Sequence, residues 1–317
     1  MKWQADHLMV RGINQFVPHG FSPKEFPEPD CPPHFYARGH NSQYPYFKTL
    51  MECMNRVSMF LNNAKPKPQA AILYHPDAEW AGKAMLFQKP ARKLLENQID
   101  FDIIPCDYLG NLLGQGGVLL DGETHSNSYT VTPFFVQPNS TDGYLLMIVP
   151  YCEYIPLRAV RALNRLLDDG IPVMFIIDYP SGVCEDAAVA NHCIELEMLR
   201  RAELFALDGL ADKVKRVIIP DVSLANAHPY LRALALPTGS VSAVLFFNES
   251  VNEAVNDTAM LRVDMPSTVV TRYHAVNNTA YKIHAETIRE QLRFPIDLEP
   301  GEAAVFVTDG SSDETLE

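Results

Sequence analysis

Between residues 14 and 41 the chain gathers amides, imidazoles, a guanidinium and aromatic rings: Asn14, His19, Asp30, His34, Tyr36, Arg38, His40 and Asn41. Rings of this kind stack on the apolar faces of sugars, while amide, imidazole and guanidinium groups bond to sugar hydroxyls. The mix therefore suits carbohydrate, with Asn14, His19, His34 and Arg38 as the candidate substrate contacts. A loop packed by its own aromatics is the competing reading. His19, His34 and His40 lack a ligand spacing such as H-E-x-x-H, so no metal site is expected.

A second chemistry could belong to Cys152, in "IVPYCEYIP". It falls where an apolar strand hands over to a helix, and a helix N-terminus can activate a thiol. Class I glutamine amidotransferases place a nucleophile at such a turn, but with glycines around it. Here the neighbours are Tyr151 and Glu153, and Glu153 would raise the thiol pKa. A buried, inert cysteine is the preferred reading, with Cys152 kept as a weak catalytic candidate. His75, Asp77, Glu79 and Trp80 form a third group after the strand "QAAILYH", where ligands bind in open α/β folds. A polar loop capped by Asp77 explains them more simply. His192 and Cys193 lie inside a helical stretch and read as structural. There is no G-x-G-x-x-G and no P-loop, so no nucleotide and no cofactor is expected.

Three segments must position these residues. Residues 1–65 hold a strand over 12–17 stopped by Pro18-His19-Gly20, a Pro- and aromatic-rich loop, and a helix over about 46–62. Phe47, Leu50, Met51, Met54, Val57 and Leu61 give that helix one apolar face. Residues 66–237 alternate strands (69–75, 100–105, 143–150, 171–177, 216–220) with helices (80–97, 153–169, 187–207). That alternation predicts a parallel sheet. A β insertion is expected between the second and third strands. In residues 238–310, short apolar runs split by turn residues predict a small antiparallel β-sandwich, and 311–317 reads as a solvated tail.

The 317 residues carry a net charge of −13, which disfavours phosphate backbones, so no nucleic-acid partner is expected. No apolar run reaches the roughly 18 residues of a membrane span, so no membrane partner is expected either. Six cysteines without a C-x-x-C pair suggest reduced thiols in a cytoplasm. The four N-x-S/T sequons carry little weight without an export signal.

Residues 5–61 resemble the end of the catalytic (β/α)8 barrel in bacterial glycosidases similar to the large α-L-rhamnosidases. The pattern G-[VI]-N-x-F-x-x-H-G is met by Gly12, Asn14, Phe16 and His19, and N-R-x-x-x-[LF]-L by Asn55, Arg56 and Leu61. The α/β segment is similar to the flavodoxin-like, class I amidotransferase-like domain of family 42 β-galactosidases, and "LEPGEAAVFV" to the closing strands of their β-sandwiches. The resemblance implies the C-terminal part of a glycoside hydrolase whose N-terminal barrel strands lie elsewhere. Asn14 and His19 would then be sugar contacts. Glycoside hydrolysis needs two carboxyl groups flanking the scissile bond, and Asp6, Glu25, Glu28 and Asp30 lack the family's catalytic context. The chain alone is therefore expected to be inactive. An apolar surface stripped of barrel neighbours would pack on the chain's own α/β domain or drive self-association. A carbohydrate-binding or oligomerisation module, and an amidotransferase-like hydrolase using Cys152, are the alternatives.

Overall fold

A computed structural model describes residues 1–19, 35–109, 135–136, 143–184, 192–238 and 241–310. The chain forms two compact units, one of Lys67–Asp221 and one of Met1–Pro66 with Val222–Glu317.

In the first of these, five strands form a parallel sheet: β1 (Ala70–Tyr74), β2 (Phe101–Pro105), β5 (Leu146–Val149), β7 (Val173–Ile176) and β9 (Glu203–Phe205). Their order is β2-β1-β5-β7-β9, which is 2-1-3-4-5 along the chain. The central strands are apolar throughout because both faces are covered. Ala71, Leu73, Met147, Val149, Val173 and Phe175 face a layer holding α5 (Leu157–Asp168), with its Ala159, Val160, Leu163 and Leu166. The alternate residues Ala70, Ile72, Leu146, Ile148, Met174 and Ile176 face α4 (Gln88–Leu95) and α7 (Leu210–Val217). Each fully buried aliphatic side chain contributes roughly 1.5–3 kcal/mol. Gly170 ends α5 at φ +79, and the Ile171 amide reaches back to Leu166 O at 2.9 Å.

Several expected elements shift. The fifth strand is Glu203–Phe205, and Arg216–Val217 close helix α7 instead of opening a strand. Of the helix expected over 187–207, residues 187–191 lie outside the described residues; the rest holds α6 (Cys193–Met198), a 3-10 turn at Leu199–Arg201 and then β9. The helix expected over 80–97 divides into α3 (Pro76–Ala81) and α4. Most of the expected β insertion lies outside the described residues. Of it the described residues hold β3 (Phe135–Val136), which pairs antiparallel with β4 (Gly143–Tyr144), the start of the strand expected over 143–150. Two further short strands, β6 (Tyr154–Ile155) and β8 (Gly182–Val183), pair in parallel.

The other unit is built on two antiparallel sheets. One contains β10 (Val222–Leu224), β13 (Val255–Arg262), β17 (Gln291–Leu298) and β16 (Glu286–Ile288). The second contains β11 (Leu231–Ala235), β12 (Ser242–Asn248), β18 (Ala303–Thr308), β14 (Val269–His274) and β15 (Thr279–His284). Strand β17 alternates as a two-faced strand must: Leu292, Phe294, Ile296 and Leu298 are buried, whereas Arg293, Pro295 and Asp297 are exposed. Strand β12 is buried from Ala243 onward, because its sheet is covered twice. Val244 and Phe246 face the other sheet, while Ala243, Leu245 and Phe247 face α1 (Lys2–Met9) and α2 (Phe47–Asn63).

The opening strand expected over 12–17 does not form. The chain starts with α1, turns at Gly12 (φ +88), and runs through 13–19 outside any helix or strand, with Ile13 and Val17 exposed. The helix expected over 46–62 is α2, and Cys53, Met54, Val57 and Leu61 form its buried stripe. The cover for that stripe is the five-stranded antiparallel sheet, where the expectation was the α/β domain or self-association.

Candidate functional site

At the carboxyl edge of the parallel sheet, the 2-1-3-4-5 order puts β1 and β5 side by side where the connections diverge. That is the crevice at which open α/β sheets bind ligands. Here it is bridged. His75, 1% exposed at the end of β1, holds Nε2 3.1 Å from Pro150 O at the end of β5. Residues 83–85 lie beside 151–153. The Met85 amide donates to Tyr151 O at 2.7 Å and the Glu153 amide to Lys83 O at 2.8 Å. Gly82 makes this approach possible, since a Cβ there would meet Tyr154 Cδ2 at 2.7 Å. Asp77 is held by Arg158 at 2.7 Å, and Asp107 lies 2.5 Å from the same guanidinium. Trp80 is left in solvent.

Cys152 sits in this strap, opposite Ala84 in an isolated antiparallel bridge. Burial pushes its thiol well above the ordinary value, and the nearby Cys106 and Cys184 add to the effect. Burial likewise raises Cys106 to about 12. These are the surroundings of inert thiols, since nucleophilic ones need a depressed pKa. His192 lies 2.9 Å from Glu195, which also accepts from Arg161 at 2.9 Å. The bond from Arg161 leads in holding the Glu195 carboxyl below its usual range, with burial opposing and His192 assisting. Among the described residues no group of three or more His, Cys, Asp or Glu side chains is arranged to hold a metal ion.

The sugar-type residues of the N-terminal segment divide. His34 lies outside the described residues. Asn14 is half-buried and His19 exposed, both in the irregular stretch after α1. Arg38 is exposed, in a left-handed turn at φ +51. The structure gathers a different set beside them. Phe35 stands 5.2 Å from Phe47, Tyr36 4.9 Å from Tyr44, and Tyr44 is stacked at 6.1 Å on Phe47. Phe35, Tyr44, Tyr46 and Phe47, with Asn41 and Gln43, line a cavity of about 250 Å³, and Tyr36, Asn14, His19 and Arg38 are not among its lining residues. The Gln43 amide is fixed by Asn41 Oδ1 at 2.9 Å. Such a cavity offers stacking faces and amide donors and acceptors at one ring-sized place.

The segment's described carboxylates are engaged elsewhere: Asp6 is buried against Lys2, and Glu52 pairs with Arg56 at 3.3 Å and Lys48 at 3.7 Å. Glu25, Glu28 and Asp30 lie outside the described residues. A wider cleft of about 860 Å³ opens on the antiparallel unit, where Thr258, Glu286 and Arg293 supply polar groups. The hint in the sequence is the run of rings Tyr44, Tyr46 and Phe47 where α2 begins, but no periodicity joins them to Phe35.

Neither a protein-family model nor a curated protein matches the chain. Among solved structures it is similar to the rhamnosidase from Novosphingobium sp. PP1Y, with a TM-score of 0.71 and 16% identity over 99% of this chain and 30% of that one. The apo exo-carrageenase GH42 from Bacteroides ovatus gives a TM-score of 0.47 and 11% identity, over 82% and 31% of the two chains. A β-galactosidase from Rahnella sp. R3 gives 0.47 and 9%, over 82% and 44%. The chain thus has the fold of part of a glycoside hydrolase and spans 30% of the rhamnosidase's length. Among the described residues no helix is long and apolar enough to cross a membrane.

Proposed function

We propose that the chain is the C-terminal part of a glycoside hydrolase of the α-L-rhamnosidase type, and that its own contribution is to bind carbohydrate. The observation that carries this reading is the rhamnosidase likeness, which extends over 99% of the chain. The α/β unit is read as flavodoxin-like because its strand order is 2-1-3-4-5. The sugar site is read as the cavity of Phe35, Tyr44, Tyr46 and Phe47, with Asn41 and Gln43 as hydroxyl partners. Asn14, His19 and Arg38 flank that segment as further contacts. The acid/base pair that hydrolysis requires is supplied from outside the chain.

The test uses the purified chain with a panel of aryl glycosides, read for release of the aryl group. No turnover is expected on any of them. Turnover on any of them would contradict the proposal, since the chain would then hold a complete catalytic site of its own.

A further inference from the structure

Ile177 is the first residue past β7, at the carboxyl edge of the parallel sheet, and its φ is +77. A β-branched residue at positive φ is a true steric outlier. The Asp178 amide donates to Ile176 O at 3.1 Å, which closes a three-residue γ-turn of the rare, strained hand around Ile177.

The turn is pinned on both sides. Before it, the Ile177 amide donates to Phe205 O of β9 at 2.8 Å. After it, Asp178 Oδ1 accepts from the Tyr179 amide at 2.8 Å, and the Tyr179 hydroxyl donates to Ala202 O at 2.8 Å. The surrounding fold thus enforces the strain, the condition under which such strain persists. Its result is to lift one side chain out of the sheet: Ile177 is 57% exposed, directly after the fully buried run Val173–Ile176.

Acyl-transfer enzymes on α/β sheets present their nucleophile on a strained turn between a strand and a helix; here the strand half of that turn is kept and the chain passes on to β8. We propose that position 177 is the nucleophile position of an acyl-transfer site, kept here in backbone form and left without a nucleophile, and that Cys152 is not that position. Isoleucine has no atom that can attack a carbonyl. The Asp178 amide, next in the chain and placed to stabilise an oxyanion, is already bonded to Ile176 O. The inference concerns the α/β unit alone and is independent of the sugar reading.

Two measurements on the full chain decide it. The first is the urea midpoint of Ile177→Gly and Ile177→Asn, residues that accept positive φ. Both midpoints are expected to rise above wild type. The second maps iodoacetamide labelling at neutral pH in wild type and I177C. Cys193 and the introduced thiol are expected to be alkylated, with displacement of iodide, while Cys106 and Cys152 stay at least tenfold slower. A lowered midpoint for Ile177→Gly would show that the side chain packs and the turn is unstrained, which overturns the proposal. Labelling of wild-type Cys152 at the rate of Cys193 overturns it too, because the presented residue would then follow β5. Should I177C fail to fold, the glycine variant and the wild-type labelling still decide.

Discussion

Glu249 stands at ion-pair distance from two guanidinium groups, Arg11 at 2.7 Å and Arg232 at 2.8 Å, with the His7 imidazole also at 2.7 Å, and fastens α1 to the antiparallel unit. Arg232 is nearly as buried as Glu249 itself, so removing the carboxylate leaves a buried guanidinium without the Glu249 charge, although it still donates to Pro229 O at 2.8 Å. Glu249→Ala is predicted to lower stability by about 3 kcal/mol in urea titration; a loss below about 1 kcal/mol would show the network to be solvated.

Asp100 behaves in the opposite sense. Its carboxyl is raised to about 7 from an ordinary 3.8, first by burial and then by Asp102 and Asp221, against the bond from the Phe101 amide. A raised carboxyl holds its proton more tightly in the folded chain. Its stabilisation is complete below the unfolded value and is lost as pH climbs through about 7. The melting temperature of wild type should therefore fall between pH 5 and pH 8 more steeply than that of Asp100→Asn. The asparagine variant should be the more stable of the two at pH 8. Parallel slopes would contradict this. The Glu249 network was not legible in the sequence, because it joins residues far apart in the chain; Asp102 stands two residues from Asp100, but the burial that leads the shift could not be read there.

Elements were legible where one face is buried and the period is clean. Helix α2 shows its stripe at three- and four-residue steps, and β17 alternates strictly. Leu61→Ala, in the buried stripe, is predicted to cost about 3 kcal/mol, whereas exposed Met59→Ala should stay within about 0.5 kcal/mol. Equal losses in denaturant titrations would mean that the stripe is not the helix's anchor.

Elements that depend on tertiary cover were misread. Helix α1 has eight residues, too few to be stable alone. It holds through Ala5, Met9 and the Glu249 network, so "KWQADHLM" carries little pattern. "GINQFV" has the apolar content of a strand but no strand paired with it among the described residues, and it stays irregular. "RVIIP" was taken for a strand on its apolar run, yet the buried Leu210, Ala211 and Val214 bring its first two residues into a helix.

At the scale of the molecule, the two units have separate apolar cores of unlike construction. One is a parallel sheet between helical layers; the other is a pair of antiparallel sheets with helices on an outer face. Both textures could be read from the switch between helix-length and strand-length periods. The aromatic cavity could not be read in the same way. Its rings come from positions 35, 44, 46 and 47, brought together by turns whose geometry no periodicity announces.

The central claim is that this chain holds sugar at that cavity without cleaving it. Saturation-transfer NMR of the whole chain with methyl α-L-rhamnoside tests it most directly. The account predicts transfer to the sugar in wild type, at least a fivefold loss in Tyr44→Ala with Asn41→Ala, and an intact glycosidic bond after prolonged incubation. Equal transfer in the double variant, or none in wild type, would contradict it.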